Sequence, residues 1–482
     1  MTRSIGSHYN DITTVGKSKF IEHFMVVFVS QAIAMASGLI KALIVPILLG
    51  LTDFGYWQIY VFYTVYIGAF TLGYGDGIYL RYGGCKLADL PLRRLRAANA
   101  IYIAILLVGA AAAVTIAYMN DVPQRQLIFV AVAANILVLG VTSNISLTLQ
   151  ATNELKSFAF LSTADKVFFV LALFALVQES FRTFQFLIAV DLVSKFIVMG
   201  VLMYRYRPLF FGSFVKTAEG VKEAVTSMGA GAQLLLANLS GMLVLGVGRI
   251  IVEYFGSLES YSHYAFSVSL SSIVLLSISA LSIVIYPILK STSRENYLGY
   301  FNKTNEAYAI VAPLMLTGYF PGVAYIEHVA KEYAPVLQFL NAVFIITVLQ
   351  GKMQLVNNTY YKALRLERQM LVANFSSLVI VMLLSFIGFM YTHSVLSIAY
   401  AALVTMLIQV YASEIFLRKH MGGRLDLAIL MEVLSFALFL LFTMMLTPIA
   451  AAASWVGFVV TILILKRQEL RQLCQWLSGT QG

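Results

Sequence analysis

Seven polar side chains stand in or beside long apolar runs: Lys41, Tyr60, Tyr63, Asp76, Asn238, Arg249 and Glu432. A charge in such a run needs a partner, a hydrated cavity or the headgroup region. Helical steps back from Lys41 reach Ser37, Ala34 and Ser30. That small, polar face would carry the ammonium into a bundle or a watery cavity; snorkelling to the outer headgroups is the competing reading. Arg249 shares a helix side with Asn238, Met242 and Leu245, and Gly231, Gly241, Gly246 and Gly248 permit close helix approach. A pair with Glu253, four residues on, is the alternative. Tyr56, Tyr60 and Tyr63 form one stripe, with Trp57 and Tyr66 beside it. Tyr56 and Trp57 read as an interface belt, while Tyr60 and Tyr63 either offer flat faces and hydroxyls to a sugar or pack a core. Glu432 has no obvious partner and, with Asp76, is a candidate for coupling to an ion. Asp191 and Lys195, four apart, read as a structural pair, and Asp165 and Lys166 as interfacial residues beginning a helix.

Polar side chains also gather at Thr142, Ser143, Asn144, Ser146, Thr148 and Gln150. A serine-rich stretch runs from Ser267 through Ser271 and Ser277 to Ser282, and Gln350, Gln354, Asn357 and Asn358 form a third group. Such groups either glue helices together or line a hydrated path. The sequence has no GxxxxGK[ST], HExxH, GxSxG or DxD run, and its two cysteines, Cys85 and Cys474, lack CxxC spacing. No catalytic residue, cofactor or metal is therefore expected, and a transporter is the expected class, not an enzyme.

The elements that must hold these residues are helices. Hydrophobic residues make up 60% of the 482 and charged ones 12%, where a soluble domain carries about 25% charge. Apolar runs fall near 24–50, 55–80, 98–119, 126–149, 159–177, 184–204, 225–249, 264–289, 305–326, 335–351, 371–391, 395–417, 426–446 and 448–465. Their length suits membrane helices, and they lack the alternation of a membrane barrel. Ala34-Met35-Ala36 resembles a leader cleavage site, but the run continues unbroken to Leu51 and is read as the first helix.

With the N-terminus cytoplasmic and the sides alternating, 26 of the 33 basic residues fall in cytoplasmic segments, among them Lys352, Lys362, Arg365, Arg368, Arg418, Lys419 and Arg424. That asymmetry supports the count of fourteen and places both termini in the cytoplasm. It also accounts for the net charge of +10 without nucleic acid. The expected fold is all-α and polytopic, with two pseudo-repeated six-helix lobes and two peripheral helices. The divisions are 1–204 for the first lobe, 205–224 for a cytoplasmic linker, 225–417 for the second lobe and 418–482 for the peripheral helices and tail. Leu49-Gly50-Leu51-Thr52-Asp53-Phe54-Gly55-Tyr56 and Tyr254-Phe255-Gly256-Ser257-Leu258-Glu259-Ser260-Tyr261 read as matching turns of a duplication; the competing reading is that any tight outer turn favours Gly, an acid and Tyr.

Leu48-Leu49-Gly50-Leu51-Thr52-Asp53-Phe54-Gly55-Tyr56, then Thr71-Leu72-Gly73-Tyr74-Gly75-Asp76-Gly77 and Leu80-Arg81-Tyr82, resemble the polysaccharide-biosynthesis flippases. These are the O-antigen and capsule repeat-unit exporters of the multidrug/oligosaccharidyl-lipid/polysaccharide (MOP) exporter superfamily. The resemblance implies a MATE-like V of two lobes in a bacterial inner membrane. It implies translocation of undecaprenyl-pyrophosphate-linked oligosaccharide, with the bilayer and this lipid as partners, and polysaccharide polymerase and chain-length proteins as further ones. Lys41 and Arg249 are the cations it assigns to the anionic substrate. A multidrug or organic-cation antiporter and a membrane polysaccharide polymerase are the alternatives; short outer loops weigh against the polymerase.

Overall fold

A computed structural model describes residues 29–30, 32–152, 154–173, 175, 178–291, 296–424, 426–467 and 469, with backbone alone at 155–162, 180 and 276–291. Arg3, Lys17, Lys19, Arg294, Arg471 and Cys474 lie outside the described residues, as do the side chains of Lys156, Ser277, Ser279, Ser282 and Lys290. The helices are α1 (Ala32–Leu43), α2 (Val45–Val65), α3 (Tyr74–Tyr82), α4 (Leu92–Tyr118), α5 (Pro123–Ala151), α6 (Leu155–Leu173), α7 (Phe184–Arg205) and α8 (Thr217–Phe255). They continue as α9 (Leu258–Ser291), α10 (Tyr297–Leu316), α11 (Tyr319–His328), α12 (Leu340–Lys352), α13 (Asn358–Ala363), α14 (Glu367–Thr392), α15 (Val395–His420), α16 (Leu427–Met445) and α17 (Pro448–Leu465). No strand occurs among the described residues.

Every one of the fourteen apolar runs carries helix among its described residues. Nine described helical segments are long and apolar enough to cross a membrane, and up to eleven if each of two bent pairs is one span. The fold is all-α and polytopic. It packs as two compact units, one made of the residues up to Lys41 with Tyr56–Leu239, the other of Ala42–Gly55 with Ser240 onward. The division between these units falls inside α8, which begins at Thr217 and runs 39 residues without interruption.

In the first unit, α3 lies against the start of α8 closely enough that only glycine fits. A Cβ on Gly77 would collide with the backbone carbonyl of Ser227, and one on Gly231 with the carbonyl of Gly73. Arg81 clasps the same crossing, donating to Glu223 and to Ser227 Oγ at 2.6 Å each. Gly77→Ala is expected to force a backbone shift and lower stability by about 1–3 kcal/mol. Gly200→Ala, with open space around its Cβ, should be neutral or slightly stabilising. Melting temperatures of the two purified variants check this, and equal values would refute the crossing.

In the second unit, the stretch from Leu43 to Leu51 is kinked. Pro46 has no N–H to donate, and Gly50 takes φ 69 and ψ 176 in the middle of α2. Freed carbonyls in an apolar setting need partners, and side chains supply them. Tyr325 donates to Leu43 O, Tyr333 to Pro46 O at 3.3 Å and Ser262 to Leu51 O at 2.8 Å. Phe54, Phe266 and Tyr333 pack edge and face around the kink. Gly256 has no positive φ, so the two turns matched in the sequence are built on different backbones.

Two local expectations are corrected. Asp165 and Lys166 do not begin a helix: α6 starts at Leu155, so they sit in its middle, paired at 3.5 Å. Residues 352–363 are not a loop either. α12 continues through a π-helical turn, Met353–Asn357, into α13, because the polar groups there find partners inside the protein. Asn357, for instance, donates to Val410 O at 2.9 Å.

Candidate functional site

The first unit gathers Lys41, from α1, with side chains from α2, α5, α6 and α7. The Lys41 ammonium lies 3.8 Å from the centre of the Phe169 ring. Phe169 stacks on Trp57 at 5.6 Å, and Trp57 packs against Tyr60 at 5.4 Å. Tyr60 donates to Asp191 Oδ2 at 2.5 Å and accepts from Asn135 Nδ2 at 2.6 Å. Lys195 donates to the same Asp191 oxygen at 2.5 Å. Lys41 is half-buried within electrostatic range of Asp191, Lys195, Asp165 and Lys166. The last four form two ion pairs, while no carboxylate among the described residues is ion-paired to Lys41. The cluster therefore holds two ion pairs and one further lysine set on an aromatic base.

Tyr60 is 1% exposed, Trp57 3% and Phe169 1%. Their faces are used in packing, so the ring row positions the lysine instead of presenting surfaces to a ligand. Tyr63 is half-buried and packs on Phe62 and Phe129. Asp76 lies half-buried in the first turn of α3, against Gly231. Asn238 is half-buried on the part of α8 that belongs to the first unit. Of the sequence candidates in this unit, the structure brings Lys41 and Tyr60 into one cluster.

The polar end of α5 serves as glue. Asn144 and Tyr74 both donate to Asn99 Oδ1, at 3.1 and 2.8 Å, and Asn99 donates to Leu209 O at 2.9 Å. Thr142 and Thr148 bond back to the carbonyls four residues earlier.

The second unit holds Arg249 and Glu432. Arg249 is half-buried on α8, one turn before buried Glu253. Glu432 corrects the sequence reading, because it has a partner: Lys352 Nζ donates to both of its oxygens at 2.7 Å. Lys352 also lies 2.7 Å from Glu414, and Glu414 meets Arg418 at 2.9 Å. Tyr411 donates to Glu432 at 3.0 Å, and Arg418 reaches Asn302 and Asp426 at 2.7 and 3.1 Å. Lys352, Glu414 and Glu432 are 0% exposed and Arg418 2%. Lys352 and Arg418 are thus buried ions, not the cytoplasmic loop charges that their places at helix ends suggest. Glu414 was overlooked in the sequence, although its spacing from Arg418, four residues along one helix, is the signal that reveals the pair. Among the described residues no cluster of His, Cys, Asp or Glu suits a metal ion.

No family model matches the chain, and no curated protein matches it in sequence. Its fold is shared with solved structures. The lipid II flippase MurJ in an inward closed conformation matches with a TM-score of 0.64 at 11% identity, over 93% of this chain and 100% of that one. A multidrug resistance MATE family transporter of the MOP superfamily, inward-facing, matches with a TM-score of 0.62 at 10% identity, over 82% of this chain and 94% of that one. At these identities the likeness concerns the fold.

Proposed function

We propose that the chain is a flippase that moves undecaprenyl-pyrophosphate-linked oligosaccharide units across a bacterial inner membrane by alternating access, with both termini cytoplasmic, for surface polysaccharide assembly. The observation that carries this reading is Lys41, a half-buried ammonium without an ion-pair partner among the described residues, held in an apolar unit by Phe169. A cation in low-dielectric surroundings suits a pyrophosphate. The fold shared with a lipid II flippase supports a lipid-linked substrate, and the sequence motifs at 48–56 and 71–82 support an oligosaccharide one. Arg249 is the second cation of the proposal and Asn238 a polar contact to the sugars. Polysaccharide polymerase and chain-length proteins are the proposed downstream partners.

A multidrug transporter is the second reading, favoured by the MATE likeness. An organic cation would need a carboxylate other than Asp191, Glu414 and Glu432, which are each ion-paired, and Asp76 and Glu253 are among the buried or half-buried acids it would have to use. Purified protein in liposomes is expected to carry a fluorescent lipid-linked oligosaccharide to the opposite leaflet and to leave ethidium where it was added. Ethidium transport without lipid movement, under either a proton or a sodium gradient, would reverse the assignment.

A further inference from the structure

A groove of about 410 Å³ opens along α14 and α15 in the second unit. Its walls are Val372, Ile380, Ile408 and Phe416, and Arg368 stands at one end. Polar groups on its floor are already engaged: Gln409 donates to Asn374 at 2.9 Å, and Ser377 bonds back to Ala373 O at 2.8 Å. What remains available is mostly apolar wall, with the Arg368 guanidinium, the exposed Gln369 amide beside it and the Ser413 hydroxyl. Arg368 is exposed, and no carboxylate among the described residues is ion-paired to it, in contrast to Arg365, which faces Glu367 at 3.9 Å.

Dimensions select the occupant. From Arg368 to Ile380 a helix rises about 18 Å, close to the roughly 15 Å of one leaflet's hydrocarbon. Arg368, in the first turn of α14, lies where a headgroup would be if Ile380 lay near the bilayer centre. We propose that this groove binds one acidic phospholipid, its phosphate on Arg368 and one acyl chain along Val372, Ile380 and Ile408. The site is separate from Lys41, which belongs to the first unit, and it does not depend on which substrate the protein moves.

The test uses full-length protein in nanodiscs containing phosphatidylglycerol or phosphatidylcholine with a photoreactive group on one acyl chain, and adducts are mapped by mass spectrometry. Phosphatidylglycerol is expected to label peptides within 368–380 and 408–416 about fivefold more than phosphatidylcholine does. Arg368→Gln should bring the two lipids level. Ser376→Trp and Ala412→Trp, both at exposed groove positions, should abolish labelling by either lipid while the melting temperature is unchanged. Equal labelling of wild type by the two lipids, or full labelling of both tryptophan variants, would overturn the proposal. Labelling by a photoreactive polyprenyl phosphate and by neither phospholipid would also overturn it, assigning the groove to a different lipid.

Discussion

Lys352→Ala is expected to remove most of the folded protein from the membrane. The ammonium is shared between Glu414 and Glu432, each 2.7 Å away and none of the three exposed. Its deletion strands two carboxylates in apolar surroundings, with Arg418 left to compensate one of them. Breaking a buried pair from one side costs about 3–5 kcal/mol, a large part of the 5–15 kcal/mol that typically separates folded from unfolded chains. The paired variant Lys352→Met with Glu432→Gln removes both charges together and keeps the Glu414–Arg418 bond, so it should recover most of the loss. Fluorescence-detected size exclusion after heating distinguishes the cases. A Lys352→Ala protein that melts with wild type would show that the network contributes nothing to holding α12, α15 and α16 together.

Lys41→Ala should separate stability from function in the opposite way. Its ammonium lies against a ring, Phe169 at 3.8 Å, and a cation–π contact contributes only about 0.5–2 kcal/mol. Folding should therefore survive. If the ammonium holds an anionic group, losing a charge-assisted contact of about 1.5–3 kcal/mol lowers transport of lipid-linked oligosaccharide roughly tenfold to a hundredfold. Lys41→Arg, which keeps the charge, should retain most activity, and Lys41→Met should resemble alanine. Initial flipping rates in liposomes at matched protein content give the answer. A wild-type rate for Lys41→Ala would make the residue a structural one and leave Arg249 to carry the proposal.

The helical, polytopic character was legible because apolar run length is a local property, and every run carries helix. Buried ion pairs were legible only where both partners share a helix turn. Asp191 and Lys195 were paired from the sequence, and they meet at 2.5 Å. Lys352 and Glu432 were not, since 80 residues separate them and nothing local marks a lysine at the end of an apolar run as buried. Residues 352–363 show the same limit: polar residues end a helix in lipid unless the protein supplies partners, and partners are a tertiary fact. Tyr60 shows the converse limit. Its stripe with Tyr56 and Tyr63 is visible in the sequence, but its engagement by Asn135 and Asp191 is what assigns it to packing.

The kinked stretch around Pro46 and Gly50 also sets an order of events during synthesis. Its carbonyls at Leu43 and Pro46 are satisfied by Tyr325 and Tyr333, residues 282 and 287 positions later. At ordinary elongation rates of about 5–20 residues per second, those tyrosines emerge on the order of 15–60 s afterwards. Throughout that interval the kink sits at the membrane with open carbonyls that lipid cannot pair. The insertion machinery, or water held beside the kink, has to cover them until the second half of the chain arrives. A chain stopped before Tyr325 should therefore carry the kink with both carbonyls unsatisfied, and it is expected to be degraded faster than the full-length protein.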